Sequence, residues 1–283
     1  MITLHEVGSV RRAVARWTGA GERVALVPTL GNLHAGHMSL MRLARRHAQR
    51  VVASIFVNPV QFGPGEDFEK YPRTLAADRR ALRAAAVDAV FAPAVGAVYP
   101  GGIPADTLVS VPGLAQELCG AFRPVHFDGV VAVVLRLLNI VGPDIAVFGE
   151  KDYQQLVIVR HMVADLHVPV RIVAGRTVRE PDGLAMSSRN HYLSEAERRL
   201  APELFRTLRG CRERLQAGDR NFRAVERAAV RELGRAGFRP DYVAVRDARM
   251  LGRPTAESSR LRVLAAAWLG RARLIDNVAV TLR

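Results

Sequence analysis

Short apolar runs rich in β-branched residues alternate with longer segments of helical periodicity over the N-terminal part of the chain. This alternation is typical of a parallel sheet wrapped by helices. It predicts strands at 24–27, 51–56, 89–91, 145–148 and 170–173. It also predicts helices near 37–48, 75–86, 129–141 and 153–165, the third ended by Gly142 and Pro143. We therefore expect an α/β fold with a Rossmann-like, doubly wound parallel sheet.

The pattern changes near residue 176, where a second, smaller α+β domain is expected. A Pro-Asp-Gly turn signal at 181–183 leads into the segment GLAMSSRN at 183–190. Beyond it, Ser194 and Glu197 form an S-x-x-E capping box, which predicts the start of a helix. The chain of 283 residues is long enough for two domains. The expected domains are 1–175 and 176–283, with the MSSRN segment near the start of the second.

The loops that follow strands are the first candidates for a site, because ligands of doubly wound sheets bind outside the carboxyl ends of the strands. The first predicted strand runs into VPTLGNLHAGH at 27–37. Here His34 and His37 stand three residues apart at the start of a helix, where Gly36 would let a phosphate approach the backbone. This arrangement favours phosphate binding. An exposed polar pair is one alternative and a zinc site is another, although no nearby Cys, Glu or His has useful spacing for a third zinc ligand.

Two further segments carry groups that suit phosphate. Lys151 follows the strand predicted at 145–148, and Lys70 is the only other lysine in the chain. The ammonium of Lys151 would supply a compact positive charge. The segment MSSRN at 186–190 offers two hydroxyls and a guanidinium, which together can surround phosphate oxygens. Taken alone, the first segment is better explained as a solvated charge cluster, and the second is equally an ordinary turn.

Composition and charge change this picture little. Hydrophobic residues make up 49% and charged residues 24% of the chain, a balance typical of folded globular proteins. The formal net charge of +14 suggests nucleic-acid binding, since clustered Lys and Arg release counterions from phosphate backbones. The arginines, however, are scattered along predicted helices, and aromatic residues that could stack on bases amount to only 6%. Solvated helix faces explain the charge better, and no nucleic-acid partner is expected.

The sequence also bears on location. The longest apolar stretches, 130–138 and 263–269, are too short to cross a bilayer. Charges spread through residues 1–17 do not form a secretory signal. Cys119 and Cys211 lack CxxC spacing, so we expect free thiols rather than a disulfide or a cysteine metal site. A cytoplasmic location without a membrane partner is therefore expected.

Together the three loops resemble the nucleotidyltransferase superfamily shared with class I aminoacyl-tRNA synthetases, because HAGH is similar to its HIGH motif and MSSR stands in the place of its KMSKS loop. More specifically, the chain resembles the pantothenate synthetase family. The motifs that carry this resemblance are PTLGNLHAGH at 28–37, FVNPVQFGPGEDFEKYPR at 56–73, FGEKDYQQ at 148–155, MSSRNHYL at 186–193 and RLIDNVAV at 273–280. They extend over nearly the whole chain. Leu30 stands where that family usually has Met, and Asn32 stands where a small residue is commoner.

The resemblance implies an enzyme that joins pantoate to β-alanine with ATP, through a pantoyl adenylate, and releases AMP and pyrophosphate. It implies ATP contacts by Leu30, Gly31, Asn32, Leu33, His34, Ala35, Gly36, His37, Gly149, Glu150, Lys151, Asp152, Val178, Met186, Ser187, Ser188 and Arg189. Of these, His37, His34 and Lys151 would be catalytic. Mg²⁺ should accompany ATP, no metal ligand on the protein is expected, and a homodimer is implied.

The resemblance further implies that Gln61 and Gln155 hold pantoate, and that Gln61 also contacts β-alanine. An amide side chain suits this role, because it can donate to a carboxylate and accept from a hydroxyl. For Gln61 the alternative is an ordinary polar residue of a loop. Three other classes of protein remain as alternatives: a nucleotidyltransferase that makes a dinucleotide cofactor, a fragment of a tRNA synthetase, and a nucleic-acid binder without catalysis.

Overall fold

Residues 1–103, 107–255 and 257–282 are described in the computed structural model, and every predicted site residue lies within these ranges. The chain divides into two compact units by its internal contacts. The N-terminal unit comprises Met1–Glu150 and Ile158–Arg176, and the C-terminal unit comprises Lys151–Val157 and Thr177–Arg283. The short segment Lys151–Val157 thus makes its contacts with the C-terminal unit.

The sheet of the N-terminal unit has six strands, and all of its strand pairs are parallel. The strands are β1 (Ile2–Leu4), β2 (Val24–Thr29), β3 (Arg50–Ile55), β4 (Ala89–Phe91), β5 (Ile145–Gly149) and β6 (Arg171–Gly175). The five strands predicted from apolar runs are confirmed, with small shifts at their ends. Strand β1 was not predicted, since three residues are too few to show a period.

Helices cover this sheet. They are α1 (Val7–Gly19), α2 (Ala35–His47), α3 (Leu75–Ala84), α4 (Val95–Val98), α5 (Cys119–Phe122), α6 (His126–Val141) and α7 (Tyr153–Asp165). The four predicted helices are confirmed as α2, α3, α6 and α7. Gly142 has a φ of 62° and its N–H donates to Leu138 O at 2.8 Å, so the predicted end of α6 is confirmed as a left-handed cap.

The strand order is β1-β4-β3-β2-β5-β6. The chain adds β3 and β4 on one side of β2 and then adds β5 and β6 on its other side, so the order of addition reverses between β2 and β5. In a doubly wound sheet this reversal is the switch point, and ligands bind at the carboxyl ends of the strands beside it. Strands β2 and β5 end at Thr29 and Gly149. The segments that follow them are those in which the sequence predicts phosphate-binding groups, and the Rossmann-like fold class is confirmed.

The C-terminal unit is built on an antiparallel sheet of three strands in the order β7-β8-β9. Its strands and helices are α8 (Glu195–Leu200), α9 (Glu203–Gln216), α10 (Phe222–Arg235), β7 (Arg239–Asp247), β8 (Arg260–Leu269) and β9 (Ala272–Thr281). Leu208, Leu233 and Val263 are fully buried in its core. The capping box is confirmed, because Ser194 N–H donates to Glu197 Oε2 at 2.7 Å and Glu197 N–H donates to Ser194 Oγ at 3.3 Å. This unit is the expected α+β domain.

Within the described ranges, no helix is both long enough and apolar enough to span a membrane. The apolar stretch 130–138 lies in α6, and 263–269 lies in β8. Cys119 and Cys211 form no disulfide bond, as predicted, and both are buried. Burial raises the pKa of the Cys211 thiol to about 11, so this residue stays protonated at neutral pH and is a poor nucleophile.

Candidate functional site

Side chains hold the segment between β2 and α2, residues 30–37, which we call the histidine loop. Asp78 of α3 is 3% exposed, and its carboxylate accepts hydrogen bonds from the backbone N–H groups of Asn32 at 3.0 Å and Leu33 at 2.8 Å. The same carboxylate accepts a hydrogen bond from Thr74 Oγ1 at 3.1 Å. Asp78 therefore fixes the backbone immediately before the two histidines.

Gly31 makes the turn that leads from β2 into the histidine loop. Its φ is +85°, and an added Cβ would lie only 3.1 Å from Ile55 Cγ2 and 3.2 Å from Asp78 Oδ2. Its N–H donates to Thr29 Oγ1 at 3.2 Å, and that hydroxyl donates in turn to Ser54 O at 2.7 Å. Both the backbone angle and the close neighbours require glycine here.

The two histidines cap α2 reciprocally. His34 Nδ1 accepts a hydrogen bond from Gly36 N–H at 3.2 Å, and His37 Nδ1 accepts one from His34 N–H at 3.2 Å. The ring centroids are 4.1 Å apart. A ring nitrogen that accepts carries no proton, so the proton of each neutral ring is on Nε2. Both rings thus have an Nε2–H donor, which suits phosphate oxygens.

The start of α2 is consequently not an open ring of backbone amides. The N–H groups of Gly31, Asn32, Leu33, His34 and Gly36 all donate to atoms of the chain itself. The features that could attract an anion here are the two histidine rings and the positive end of the helix dipole.

Gln61 lies in a short 3-10 turn and is 7% exposed. Asn58, just before the turn, donates through Nδ2 to Gln61 Oε1 at 3.2 Å and to Gly129 O at 3.0 Å. Asn58 Oδ1 accepts from Tyr99 Oη at 2.8 Å. These partners show that Nδ2 is the donor end of the Asn58 amide. The atom of Gln61 that accepts from it is therefore the amide oxygen Oε1. The Gln61 amide oxygen is engaged, and its Nε2 carries two N–H donors that suit a carboxylate.

Gly129 of α6 allows the helix to approach the Gln61 turn closely. An added Cβ would lie 2.5 Å from Gln61 Cα and 2.6 Å from Val60 C. His126, one turn earlier, donates from Nδ1 to Gln61 O at 2.9 Å. A larger residue at 129 would therefore displace the backbone of Gln61.

An ion pair holds the segment that follows the Gln61 turn. Arg123 donates from Nε and Nη2 to the two carboxylate oxygens of Glu66, at 2.7 and 2.5 Å. Partial burial is the largest single influence on Glu66 and opposes its ionisation. The hydrogen bonds and charge of Arg123, together with smaller contributions from His126 and Gly63, outweigh it, so the pKa of this carboxyl is lowered.

In the C-terminal unit, Lys151 lies in a 3-10 turn directly before α7. Its backbone carbonyl accepts a hydrogen bond from Asn277 Nδ2 of β9 at 2.9 Å. Its side chain is 19% exposed, and Nζ is 3.9 Å from Asp152 Oδ1, a loose ionic contact. The next residue, Tyr153, donates from its hydroxyl to Ala248 O at 2.8 Å. The base of the lysine is thus fixed while its charged end is only weakly paired.

A tight hairpin, residues 178–186, precedes the MSSRN segment. Met186 N–H donates to Val178 O at 3.0 Å, so these two predicted ATP contacts are neighbours. Ser187 Oγ accepts from Arg189 N–H at 3.2 Å and begins the 3-10 turn Ser188–Tyr192. The predicted phosphate-binding hydroxyls and guanidinium are therefore presented from a structured turn.

Arg179 braces this hairpin against β9. Its guanidinium donates to both carboxylate oxygens of Asp276, at 2.6 and 2.9 Å, and to Gly183 O at 3.0 Å. The guanidinium carbon lies 3.7 Å from the centroid of the Phe205 ring. The Asp276 side chain is only 2% exposed, so this is a buried, bidentate ion pair.

The predicted site residues fall in both units. The N-terminal unit contains the histidine loop, Gln61, Gly149 and Glu150, and the C-terminal unit contains Lys151, Asp152, Gln155, Val178 and residues 186–189. Gln155 is half-buried in the first turn of α7, and its amide makes no hydrogen bond to another described residue. No three His, Cys, Asp or Glu side chains of the described ranges gather in a way that could hold a metal ion.

Sequence reasoning missed the residues that hold the predicted ones in place. Asp78 left a signal, since helical spacing puts it on the buried face of α3 with Leu82, where an acidic residue needs a partner. Asp276 and Asn277 left a similar signal, a polar pair inside an apolar strand. Gly129 left none, because a glycine in a helix does not show what approaches it.

Known proteins match this chain over nearly its full length. The family model for pantoate-beta-alanine ligase matches residues 2–279. A pantothenate synthetase of Thiobacillus denitrificans is 56% identical over 99% of this chain and 98% of its own length, and one of Azotobacter vinelandii is 53% identical over the whole of both chains.

Two solved structures match over nearly the full length. The pantothenate synthetase of Thermus thermophilus has a TM-score of 0.91 and 47% identity, covering 98% of this chain and 99% of that one. The pantoate-beta-alanine ligase of Francisella tularensis, solved in complex with beta-gamma ATP and beta-alanine, has a TM-score of 0.79 and 30% identity, covering 98% and 97%. From its fold, its motifs and these full-length matches, the chain belongs to the pantoate-beta-alanine ligase family.

Proposed function

We propose that the chain uses the histidine loop, Lys151 and the MSSRN segment to transfer adenylyl from ATP to pantoate, and then joins the pantoyl group to β-alanine. As a member of its family, the chain is a ligase that forms pantothenate. The observation that carries the proposed roles is the reciprocal cap of His34 and His37 at the carboxyl end of β2. In the neutral rings this cap puts the proton of each histidine on Nε2, beside the switch point of the sheet.

In the first step a carboxylate oxygen of pantoate attacks the α-phosphorus of ATP. An O–P bond forms, the bond from the α-phosphorus to the bridging oxygen breaks, and pyrophosphate leaves with that oxygen. Charge builds up on the phosphate oxygens, so fixed donors and cations accelerate the step. His34 and His37 supply the donors at the transferring phosphate, and His37 is the better candidate for proton donation.

Lys151 and residues 187–189 neutralise the remaining phosphate charge. The ammonium of Lys151 is only loosely paired with Asp152, at 3.9 Å, so little is lost when it turns to a phosphate. Two hydroxyls and one guanidinium on the MSSRN turn offer further donors.

In the second step the amine of β-alanine attacks the acyl carbon of pantoyl adenylate. A C–N bond forms, the acyl C–O bond breaks, AMP leaves and the amine loses a proton. Gln61 has its amide oxygen engaged by Asn58, which leaves two N–H donors for the carboxylate of pantoate before the first step and for the oxygens of the pantoyl group afterwards. Gln155 supplies a second amide for pantoate, and Gln61 also contacts β-alanine.

Three further expectations belong to this proposal. Mg²⁺ enters with ATP as part of the nucleotide substrate, and a requirement for added Mg²⁺ in the assay would support this. The chain forms a homodimer, which sedimentation equilibrium would measure. It works in the cytoplasm, where its two buried free thiols would stay reduced, and cell fractionation would test this location.

The test is to incubate the protein with ATP, Mg²⁺, pantoate and β-alanine and to measure AMP. Without β-alanine, exchange of pyrophosphate into ATP should continue, since the first step does not need the amine. His37→Ala and Lys151→Ala should each lower turnover at least about a hundredfold with the fold intact, because each removes a donor at the reacting phosphate.

Lys70→Ala is the matched control for Lys151→Ala. Lys70 is exposed and makes no ion pair with another described residue, so its loss should leave turnover unchanged. Near-normal turnover in His37→Ala or Lys151→Ala would overturn the assigned roles.

A further inference from the structure

Two adjacent polar residues, Asp276 and Asn277, lie buried in the middle of β9, at 3% and 5% exposure. The strand buries residues 276–278 in succession instead of alternating. Their register partners on β8 are Ala265 and Leu264, which offer no polar side chains. Burying a carboxylate and an amide here is costly unless each has a partner, so the pair needs an explanation.

The partners of Asn277 and Asp276 lie on segments to which the proposed function assigns contacts with ATP. Asn277 Nδ2 donates to the backbone carbonyl of Lys151 at 2.9 Å. Asp276 binds Arg179, which braces the hairpin that ends at Met186. One strand thus holds the base of Lys151 and the base of the MSSRN turn.

We propose that Asn277 is a positioning residue for Lys151, which it serves by fixing the lysine's backbone carbonyl. The inference rests on the proposed function, since it assumes that Lys151 neutralises phosphate charge. A side-chain amide suits the task because it donates without charge. A cationic donor at 277 would repel the Lys151 ammonium and compete with it for phosphate.

The neighbouring carboxylate has partners of its own. Both oxygens of Asp276 accept from the guanidinium of Arg179. Asn277 N–H also donates to Asp276 Oδ1 at 2.7 Å, which further satisfies the carboxylate. Asn277 therefore anchors Lys151 through an uncharged amide, while Asp276 is satisfied separately.

The first test is a double-mutant cycle with pyrophosphate exchange as the readout. Asn277→Ala should lower the exchange rate roughly tenfold to a hundredfold, because a small misplacement of a reacting group has effects of this size. If Asn277 acts through Lys151, the variant carrying both Lys151→Ala and Asn277→Ala should exchange within about twofold of Lys151→Ala alone. Multiplied losses would overturn the proposal.

Asn221→Ala is the matched control. Asn221 lies in the same unit, and its amide oxygen accepts a hydrogen bond from Ala224 N–H at 3.0 Å at the start of α10. Its replacement should lower the midpoint of thermal unfolding but leave exchange unchanged. Asn277→Asp keeps the size of the side chain and lacks the donor, so it should lose exchange as Asn277→Ala does. Full exchange in Asn277→Asp would contradict the proposal even if Asn277→Ala does not fold.

The second test uses the fact that Lys70 and Lys151 are the only lysines. An amine-reactive label, followed by peptide mass spectrometry, reports both positions in one sample. ATP should protect Lys151 but not Lys70 in the unmodified protein. In Asn277→Ala, protection of Lys151 at the same ATP concentration should fall, whereas unchanged protection would contradict positioning by Asn277.

The two tests separate the inference from the proposed function. Near-normal exchange in Lys151→Ala alone would overturn the role of the lysine, and the inference with it. A large loss in Lys151→Ala with multiplied losses in the double variant would overturn only the role of Asn277.

Discussion

The histidine loop and the Lys151 turn follow the two strands beside the switch point, yet they are held by opposite kinds of bond. In the histidine loop, side-chain acceptors capture backbone N–H groups: Asp78 takes two, and the rings of His34 and His37 take one each. At Lys151 a side-chain donor, Asn277, captures a backbone carbonyl. In both places a side chain of the protein satisfies a backbone group.

The two regions also balance a buried carboxylate differently. Asp78 has no cationic partner among the described residues, and its charge is met by two N–H groups and one hydroxyl. Asp276 is met by the guanidinium of Arg179. A guanidinium beside the histidine loop would compete for the phosphate, whereas Arg179 braces a hairpin. We infer that the choice of partner follows from what each segment must present to ATP.

The largest effect on stability is expected from breaking the buried ion pair between Arg179 and Asp276. Asp276→Ala should lower the free energy of unfolding by about 3 to 5 kcal/mol, because it leaves Arg179 charged and partly buried without an anion. Urea unfolding followed by circular dichroism measures this. Asp219→Ala, which breaks the exposed pair with Arg214, is the control and should change stability far less. Equal effects of the two variants would show that burial of Asp276 does not matter.

A smaller loss of stability but a clear loss of activity is expected at the histidine loop. Asp78→Ala leaves the N–H groups of Asn32 and Leu33 without their acceptor, which should cost roughly 2 to 4 kcal/mol. It should also slow AMP formation, since the loop that carries both histidines loses its anchor. Thr74→Val removes only the third hydrogen bond of Asp78 and serves as the control. If both variants kept full turnover, the loop would not depend on Asp78.

The smallest effect concerns pH and the pair Glu66–Arg123, which combines a partly buried carboxylate with a guanidinium in the N-terminal unit. Because the pKa of Glu66 is lowered on folding from 4.5, its contribution to stability is present above pH 4.5 and is lost as pH falls through the lowered value. Glu66→Gln should therefore be less stable than the unmodified protein by about 1 kcal/mol at pH 7.

The sign of this pH effect provides its own check. The difference in stability between the two proteins should shrink below pH 4.5, because protonation removes from the unmodified protein what the substitution has already removed. Urea unfolding at a series of pH values measures the difference. A difference that grew with acidity would contradict the lowered pKa.

Much of the N-terminal unit could be predicted from the sequence, because its central strands are continuous apolar runs and its helices keep their period. Strand β1 and helices α1, α4 and α5 were missed. Strand β1 has three residues, and α4 and α5 have four each, which are too few to show a period. Helix α1 buries Val10, Val14 and Trp17 among three arginines, so its apolar stripe is narrow.

The candidate site, like the fold, could be predicted only in part. Local motifs predict which side chains take part in the chemistry, since the histidines, Lys151 and the MSSRN turn each belong to a segment that is contiguous in sequence. They could not indicate what holds these segments, because the anchors come from far along the chain. Asp78 lies 46 positions from Asn32, and Asn277 lies 126 positions from Lys151. Hydrogen bonds over such separations leave no periodic signal.

The measurement that most directly tests adenylyl transfer is the fate of a heavy oxygen isotope in the carboxylate of pantoate. If the carboxylate attacks the α-phosphorus and the amine then attacks the acyl carbon, one labelled oxygen must leave with AMP. We predict singly labelled AMP and unlabelled pyrophosphate, with label transfer reduced at least about a hundredfold in His37→Ala. Unlabelled AMP, or label in inorganic phosphate, would contradict attack at the α-phosphorus.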